Sequence, residues 1–179
     1  MKPLKNVKKW TTLALTVLMT ASLLTACGGG KEPEDEPKTV NLTEVFDAMF
    51  EALEEEAGEL PETYLVNIEG TMLDEYYPGL SDITFKQLIA KTPMMSAVAC
   101  EMVLAECETE EDADKVVEIL QARIDYQVGD DENPGGAWYP ENIESWKRSS
   151  IQRQGNYVAL LAVNGIQSQV EEIFNQAFQ

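Results

Sequence analysis

Residues 157–163 read YVALLAV, a run without a single charged side chain. A run that is apolar throughout is typical of a strand covered on both faces. Gly155-Asn156 stands directly before it and suits a two-residue turn with positive φ. The pattern therefore predicts a β-hairpin formed by residues 149–154 and 157–163.

Two further strands are expected nearer the middle of the chain. The weaker one is predicted at residues 83–90. Residues 96–106 alternate more clearly, because Cys100 and Leu104 fall on one face of the strand while Glu101 points to the other. The four strands together indicate an antiparallel sheet.

Apolar residues at helical spacing predict three helices, at residues 42–56, 110–127 and 166–177, and a shorter helical segment at 140–147. The main elements follow the order α-β-β-α-β-β-α. This order predicts a single α+β domain over residues 40–179, in which helices pack mainly on one face of the antiparallel sheet.

The first 26 residues have the layout of a secretory signal peptide. Four lysines precede any acidic residue, and residues 10–24 are apolar or small. This run is shorter than the roughly 20 apolar residues that a membrane span needs. The letters LTAC at residues 24–27 follow it and are similar to a bacterial lipobox, in which the cysteine thiol is alkylated by diacylglycerol. We therefore expect residues 1–26 to be a lipoprotein signal peptide and Cys27 to be the lipid-attachment site; a signal-anchor helix is the alternative.

Residues 27–39 contain three consecutive glycines followed by charged units that end in proline. This composition predicts a flexible acidic tether between the anchor and the domain. The expected location is the outer face of the cytoplasmic membrane, with membrane lipid as a partner through Cys27 and the domain outside the cell.

The chain carries 32 acidic residues against 13 basic ones and a formal net charge of −19. Nucleic acid would be repelled by such a charge and is not an expected partner. A cationic peptide, a metal ion, a neutral glycan or a basic protein face remains open.

The chain contains no histidine, which excludes Ser-His-Asp and Cys-His catalysis. No catalytic residue, cofactor or metal site is predicted. The acidic loop at residues 129–136 lacks the alternate-position spacing of a calcium loop, and an ordinary turn is favoured there. Cys100 and Cys107 are expected to be buried thiols, since seven residues of strand would separate them by about 23 Å.

Aromatic residues stand beside acids at 138–146, WYPENIESW, and at 75–78, EYYP. Such side chains suit the recognition of sugars or peptides through stacking and hydrogen bonds. The candidate ligand-binding or partner-binding residues are Trp138, Tyr139, Glu141 and Tyr157. The alternative is that these aromatic residues fix a loop onto the core.

Several short motifs occur in a fixed order after the lipobox, namely Ala99-Cys100-Glu101-Met102, Arg123 with Gln127, Tyr139-Pro140-Glu141 and Gly155-Asn156-Tyr157-Val158. Over roughly residues 40–178 the chain resembles a family of uncharacterised lipoproteins from Gram-positive bacteria, described only as a domain of unknown function. The resemblance implies no activity, cofactor or catalytic residue. Within the shared set, Glu101 on a strand and Arg123 on the next helix are expected to form a structural ion pair.

The sequence thus favours a non-enzymatic binding or accessory module at the cell envelope, with an unknown envelope protein or glycan as its partner. A carboxylate-dependent glycan hydrolase is the alternative. Neighbouring carboxylates do not by themselves support it, because a chain with 32 acids brings some together by chance. A two-lobed solute-binding protein is disfavoured, since about 140 residues are too few for two lobes.

Overall fold

The computed structural model describes residues 39–58, 64–95 and 97–179. The predicted signal peptide at 1–26, the lipid-attachment site at Cys27 and the tether up to residue 38 lie outside the described residues. Within the described part of the chain, no helix is both long and apolar enough to cross a membrane.

The described residues form a five-stranded antiparallel sheet and five α-helices. The elements are α1 (Leu42–Ala57), β1 (Leu65–Asn67), α2 (Thr71–Tyr76), β2 (Phe85–Pro93), β3 (Cys100–Cys107), α3 (Glu110–Val128), α4 (Pro140–Arg148), β4 (Ser150–Gln154), β5 (Tyr157–Val163) and α5 (Gln167–Gln176). A short 3₁₀ turn at Leu80–Asp82 precedes β2. The strand order across the sheet is β1-β2-β3-β5-β4.

The predicted α+β class and antiparallel sheet are confirmed, and the predicted order of elements holds with additions. Strand β1 and helix α2 are inserted between α1 and β2, and α4 stands between α3 and β4. The predicted hairpin is present, with Gln154 paired to Tyr157 and a φ of +57° at Gly155. Local signals also set both ends of α1. The Asn41 side chain accepts a hydrogen bond from the Thr43 N–H, and Gly58 ends the helix at a φ of 85°.

The helices are shared between the two faces of the sheet rather than gathered mainly on one. Helices α1 and α5 pack on one face, against β3 and β5 side chains such as Met102 and Leu161. Helices α2, α3 and α4 pack on the other, against side chains such as Val103 and Leu160. Successive side chains of β5 point to opposite faces of the sheet. Because helices cover both faces, the side chains on both sides of β5 are apolar.

Strands β3 and β5 form the centre of the sheet, and all eight residues of β3 are buried. Glu101 is one of these residues, and its side chain lies on the face that carries α3. A carboxylate at such a position needs a partner, because an isolated buried charge is strongly unfavourable.

Candidate ligand-binding site

A buried ion pair stands at the end of strand β3. The Glu101 carboxylate accepts two hydrogen bonds from Arg123, from Nε to Oε1 at 2.9 Å and from Nη2 to Oε2 at 2.9 Å. Both side chains are less than one-tenth exposed. The two residues that the sequence predicts to pair do so in the bidentate geometry that an arginine fork favours.

Two neutral side chains complete the hydrogen bonding of the carboxylate. The Tyr77 hydroxyl donates to Oε1 at 2.5 Å, and the Thr92 hydroxyl donates to Oε2 at 3.2 Å. Burial, followed by the charge and hydrogen bond of Glu101, raises the pKa of Tyr77 well above its ordinary value. Tyr77 is therefore a protonated donor, and Glu101 is fully engaged by residues of this chain.

Aromatic rings surround the Arg123 guanidinium. Its central carbon lies 4.1 Å from the ring centroid of Tyr76, with the rings of Trp146, Tyr77 and Tyr126 at 5.7, 5.8 and 6.0 Å. These distances fall within the range of cation–π attraction. Burial alone lowers the pKa of Arg123, but the hydrogen bonds and charge of Glu101 outweigh burial and raise it overall. Arg123 is a fixed cation.

A cavity of about 630 Å³ opens above this pair, and we call it the main cavity. Its base is formed by Glu101, Arg123, Trp146 and the buried Asn142. Its walls come from the connection between β2 and β3, through Met94, Val98 and Ala99, and from the loop at residues 129–139 between α3 and α4.

The loop at residues 129–139 is fixed to the end of α3 by backbone hydrogen bonds. The Gly136 N–H donates to the Tyr126 carbonyl at 2.8 Å, and the Ala137 N–H donates to the Gln127 carbonyl at 3.1 Å. Asp130 accepts hydrogen bonds from two N–H groups of its own loop, and these bonds lower the pKa of its carboxyl group. This carboxylate therefore serves the turn, as expected for an ordinary acidic loop.

Large apolar side chains are exposed around the opening of the main cavity. Among the described residues, the exposed large hydrophobic side chains are Met94, Met95, Val98, Tyr126, Trp138 and Tyr139. Four of them, Met94, Val98, Trp138 and Tyr139, line the main cavity. Met95 follows Met94 in the chain, and Tyr126 contacts the loop at residues 129–139. Trp138 is 87% exposed. Exposed apolar groups gathered in one place, rather than scattered singly, mark interaction sites.

The structure brings together four of the six residues that the sequence singled out within the domain. Trp138 and Tyr139 line the main cavity with Glu101 and Arg123. Glu141 is exposed in the first turn of α4 and does not line it.

Tyr157 lies elsewhere, at the start of β5. Its hydroxyl oxygen accepts a hydrogen bond from the Val40 N–H at 3.2 Å, and its ring contacts Phe178 edge-on at 5.0 Å between centroids. Both contacts belong to the core on the face of α1 and α5. Tyr157 thus has a structural role here.

Sequence reasoning did not select Tyr76, Tyr77, Trp146, Met94 or Val98. The EYYP segment gave a signal for the two tyrosines, since tyrosines beside carboxylates suit the recognition of sugars or peptides. The two apolar residues of the β2–β3 connection gave none, because only the tertiary structure brings that connection opposite the loop at residues 129–139.

Residues 59–163 match the family model described as Domain of unknown function (DUF4358). The match begins after α1 and ends with β5, so it contains both loops of the main cavity and the buried ion pair. No curated protein and no solved structure matches the chain.

Proposed function

The chain belongs to the family described as Domain of unknown function (DUF4358), and we propose that it is a lipid-anchored binding module on the outer face of the cytoplasmic membrane. In this proposal the main cavity and its apolar opening form the site for an envelope partner. The protein has no catalytic step of its own.

One observation carries the binding site: four of the six exposed large hydrophobic side chains of the described residues line one cavity, above a buried charged pair. Leaving a side chain such as Trp138 in water forgoes about 1.5–3 kcal/mol of burial free energy. Tryptophan and tyrosine are also enriched among binding hot spots, and a fixed base beneath them lowers the cost of ordering side chains on binding.

The geometry favours binding over the alternative, a carboxylate-dependent glycan hydrolase. Glycoside hydrolysis uses two carboxyl groups about 5–9.5 Å apart, one of which gives up or takes a proton. Among the described residues that line the main cavity, Glu101 is the single carboxylate. Arg123, Tyr77 and Thr92 already occupy its oxygens, which leaves none for a proton transfer to substrate.

Three features of the sequence support the proposed lipid anchor: the basic start, the short apolar run and the letters LTAC at residues 24–27. Two or more acyl chains on Cys27 would hold the protein stably, since one chain alone binds a membrane only marginally. The test compares the full chain with Cys27→Ser in a Gram-positive host fed radiolabelled palmitate. We expect label and membrane fractionation in the parent and in Cys100→Ala, and neither in Cys27→Ser. Membrane retention and an unchanged processed mass in Cys27→Ser would overturn the anchor.

The binding site is tested by purifying the full chain from gently solubilised membranes of the same host. We expect a stoichiometric partner with the parent, its loss with Trp138→Ala, and its retention with Glu55→Ala, an exposed change on α1. Equal recovery from Trp138→Ala and the parent would overturn the assignment of the main cavity as the binding site.

A further inference from the structure

A second cavity of about 400 Å³ adjoins the main cavity, and we call it the side cavity. The two share Tyr76 and Arg123, so the Tyr76 ring, stacked on the guanidinium, stands between them. The remaining walls of the side cavity are largely apolar and come from the segment after α2 and from α3. Two carboxylates, Glu75 and Glu118, stand at its edge.

The charges of these two carboxylates are not balanced by the cation beneath them. Arg123 lines both cavities but is held by the bidentate bond to Glu101. Within the described part of the chain, neither Glu75 nor Glu118 belongs to an ion pair. Both are exposed. The side cavity therefore combines a tyrosine-walled apolar interior with uncompensated negative charge at its edge.

A lysine or arginine side chain of another protein has the complementary chemistry. Its methylene stem can lie along apolar walls while its charged end reaches the carboxylates. The rings of Tyr76 and Tyr126 add cation–π attraction to the same charge. An apolar residue next to it in the partner would then contact the exposed apolar groups around the main cavity.

The other available occupants fit less well. The tether of this chain has the sequence KEPEDEPK at residues 31–38, with four acids to two bases, and would be repelled. A second copy carries the same net charge of −19 and meets the same repulsion. A neutral glycan could stack on Trp138 and Tyr139, but it has no use for the exposed Met94, Met95 and Val98.

We propose that the partner is a protein whose exposed segment places a lysine or arginine in the side cavity and an adjacent apolar residue over the main cavity. This inference rests on the proposed function and adds to it the chemistry of the partner. Charge complementarity would give the contact its orientation and its rate of association, and the apolar neighbour would supply most of its affinity.

The test uses the full, lipid-bearing chain in phosphatidylcholine vesicles and a random heptapeptide library displayed on phage. We expect the selected peptides to be enriched in arginine or lysine next to a large apolar residue. The best selected peptide, synthesised and labelled with a fluorophore, is then measured by anisotropy. Glu75→Gln with Glu118→Gln should weaken its binding about tenfold, which corresponds to about 1.4 kcal/mol.

The matched control is Glu51→Gln with Glu55→Gln, which removes the same two charges from exposed positions on α1, on the other face of the sheet. The affinity of the control variant for the peptide should stay within about twofold of the parent, because salt screens charges that lie far from the side cavity. Both double variants lose the same net charge, so a larger effect of the first one reports the local contact. Selection of peptides without basic residues, equal weakening in both double variants, or binding of a chito-oligosaccharide in place of any peptide would overturn the inference. If Trp138→Ala still releases the cellular partner in those cases, the proposed function stands without this inference.

Discussion

The buried pair of Glu101 and Arg123 gives the sharpest test of the structure. Arg123→Met leaves the Glu101 carboxylate buried with only the Tyr77 and Thr92 hydroxyls as partners. Glu101→Gln leaves the guanidinium buried opposite a neutral amide. The NH₂ group of this amide is itself a donor and cannot accept a hydrogen bond from Arg123. Breaking a buried ion pair by removing one partner costs about 3–5 kcal/mol, so each single variant should lose about that much unfolding free energy.

The double variant, Glu101→Gln with Arg123→Met, should lose much less than the sum. The new amide oxygen can accept from Tyr77, and its nitrogen can donate to Thr92, since these hydroxyls lie 2.5 and 3.2 Å from the two carboxylate oxygens. The methionine remains among four aromatic rings, which suits a thioether. We expect a loss of about 1–3 kcal/mol, so the coupling between the two sites is at least about 3 kcal/mol.

The assay is urea unfolding of the chain from Gly28 onward, followed by circular dichroism at constant pH. A typical domain has about 5–15 kcal/mol of unfolding free energy, so the single variants should remain measurable. If each single variant lost less than about 1 kcal/mol of unfolding free energy, the pair would behave like an exposed surface salt bridge, which would contradict its burial. Additive losses in the double variant would contradict the direct pairing.

Three further predictions concern the thiols and the loop at residues 129–139. At pH 8, iodoacetamide should modify neither Cys100 nor Cys107 in the folded protein, and it should modify both after unfolding. The reason is that burial raises the pKa of Cys100 to about 12 and that of Cys107 to about 11. Rapid labelling of the folded protein would contradict this. Between pH 9 and about 12 the Cys100 thiol is ionised in the unfolded chain but protonated in the fold, so the unfolding free energy falls as the pH rises above 9. Cys100→Ala should therefore remove about 2 kcal/mol of the fall between pH 8 and 10.5, measured by urea unfolding. An equal fall in both proteins would refute this cause. Gly135→Ala would place a Cβ 2.3 Å from the Gln127 carbonyl oxygen. The variant should therefore lose about 1–3 kcal/mol of unfolding free energy, and the N–H groups of Gly136 and Ala137 should exchange their hydrogens faster. Unchanged exchange at these two groups would refute the close packing.

Short-range patterns in the sequence predict the elements whose ends and faces are set locally. The Thr109 side chain accepts a hydrogen bond from the Asp112 N–H at 3.1 Å, and α3 begins at Glu110, the predicted first residue of this helix. Alternation in β3 correctly separates Cys100 and Leu104 from Glu101, because successive side chains of a strand point to opposite faces. The Gly155 turn fixes the register of the hairpin in the same local way.

The segment between α1 and β2 could not be predicted by such patterns. Strand β1 has three residues and α2 has six, and neither is long enough to show a period. Tertiary contacts determine both elements: β1 pairs with the end of β2, and Tyr77 is completely buried beside Glu101. The distribution of helices over both faces is also set by packing, since an amphipathic pattern shows that a helix is covered but not by which face.

The residues of the candidate site also fall into those that the sequence indicates and those that only the tertiary structure places. Glu101 and Arg123 stand out because both belong to the short motifs that the chain shares with the family it resembles, and an arginine fork suits a carboxylate. Trp138 and Tyr139 stand out by composition. Tyr157 carries the same chemical signal, yet the pleat of β5 turns it toward α5, which no composition reveals.

The most direct measurement of a partner at the main cavity is photo-crosslinking on intact cells. Benzoylphenylalanine replaces Trp138 in one version of the full chain and Glu55 in another, and both are irradiated in the native host. We predict a discrete crosslinked species of one added mass from position 138 and none from position 55. The same pattern from both positions, or no crosslink from position 138, would contradict the account.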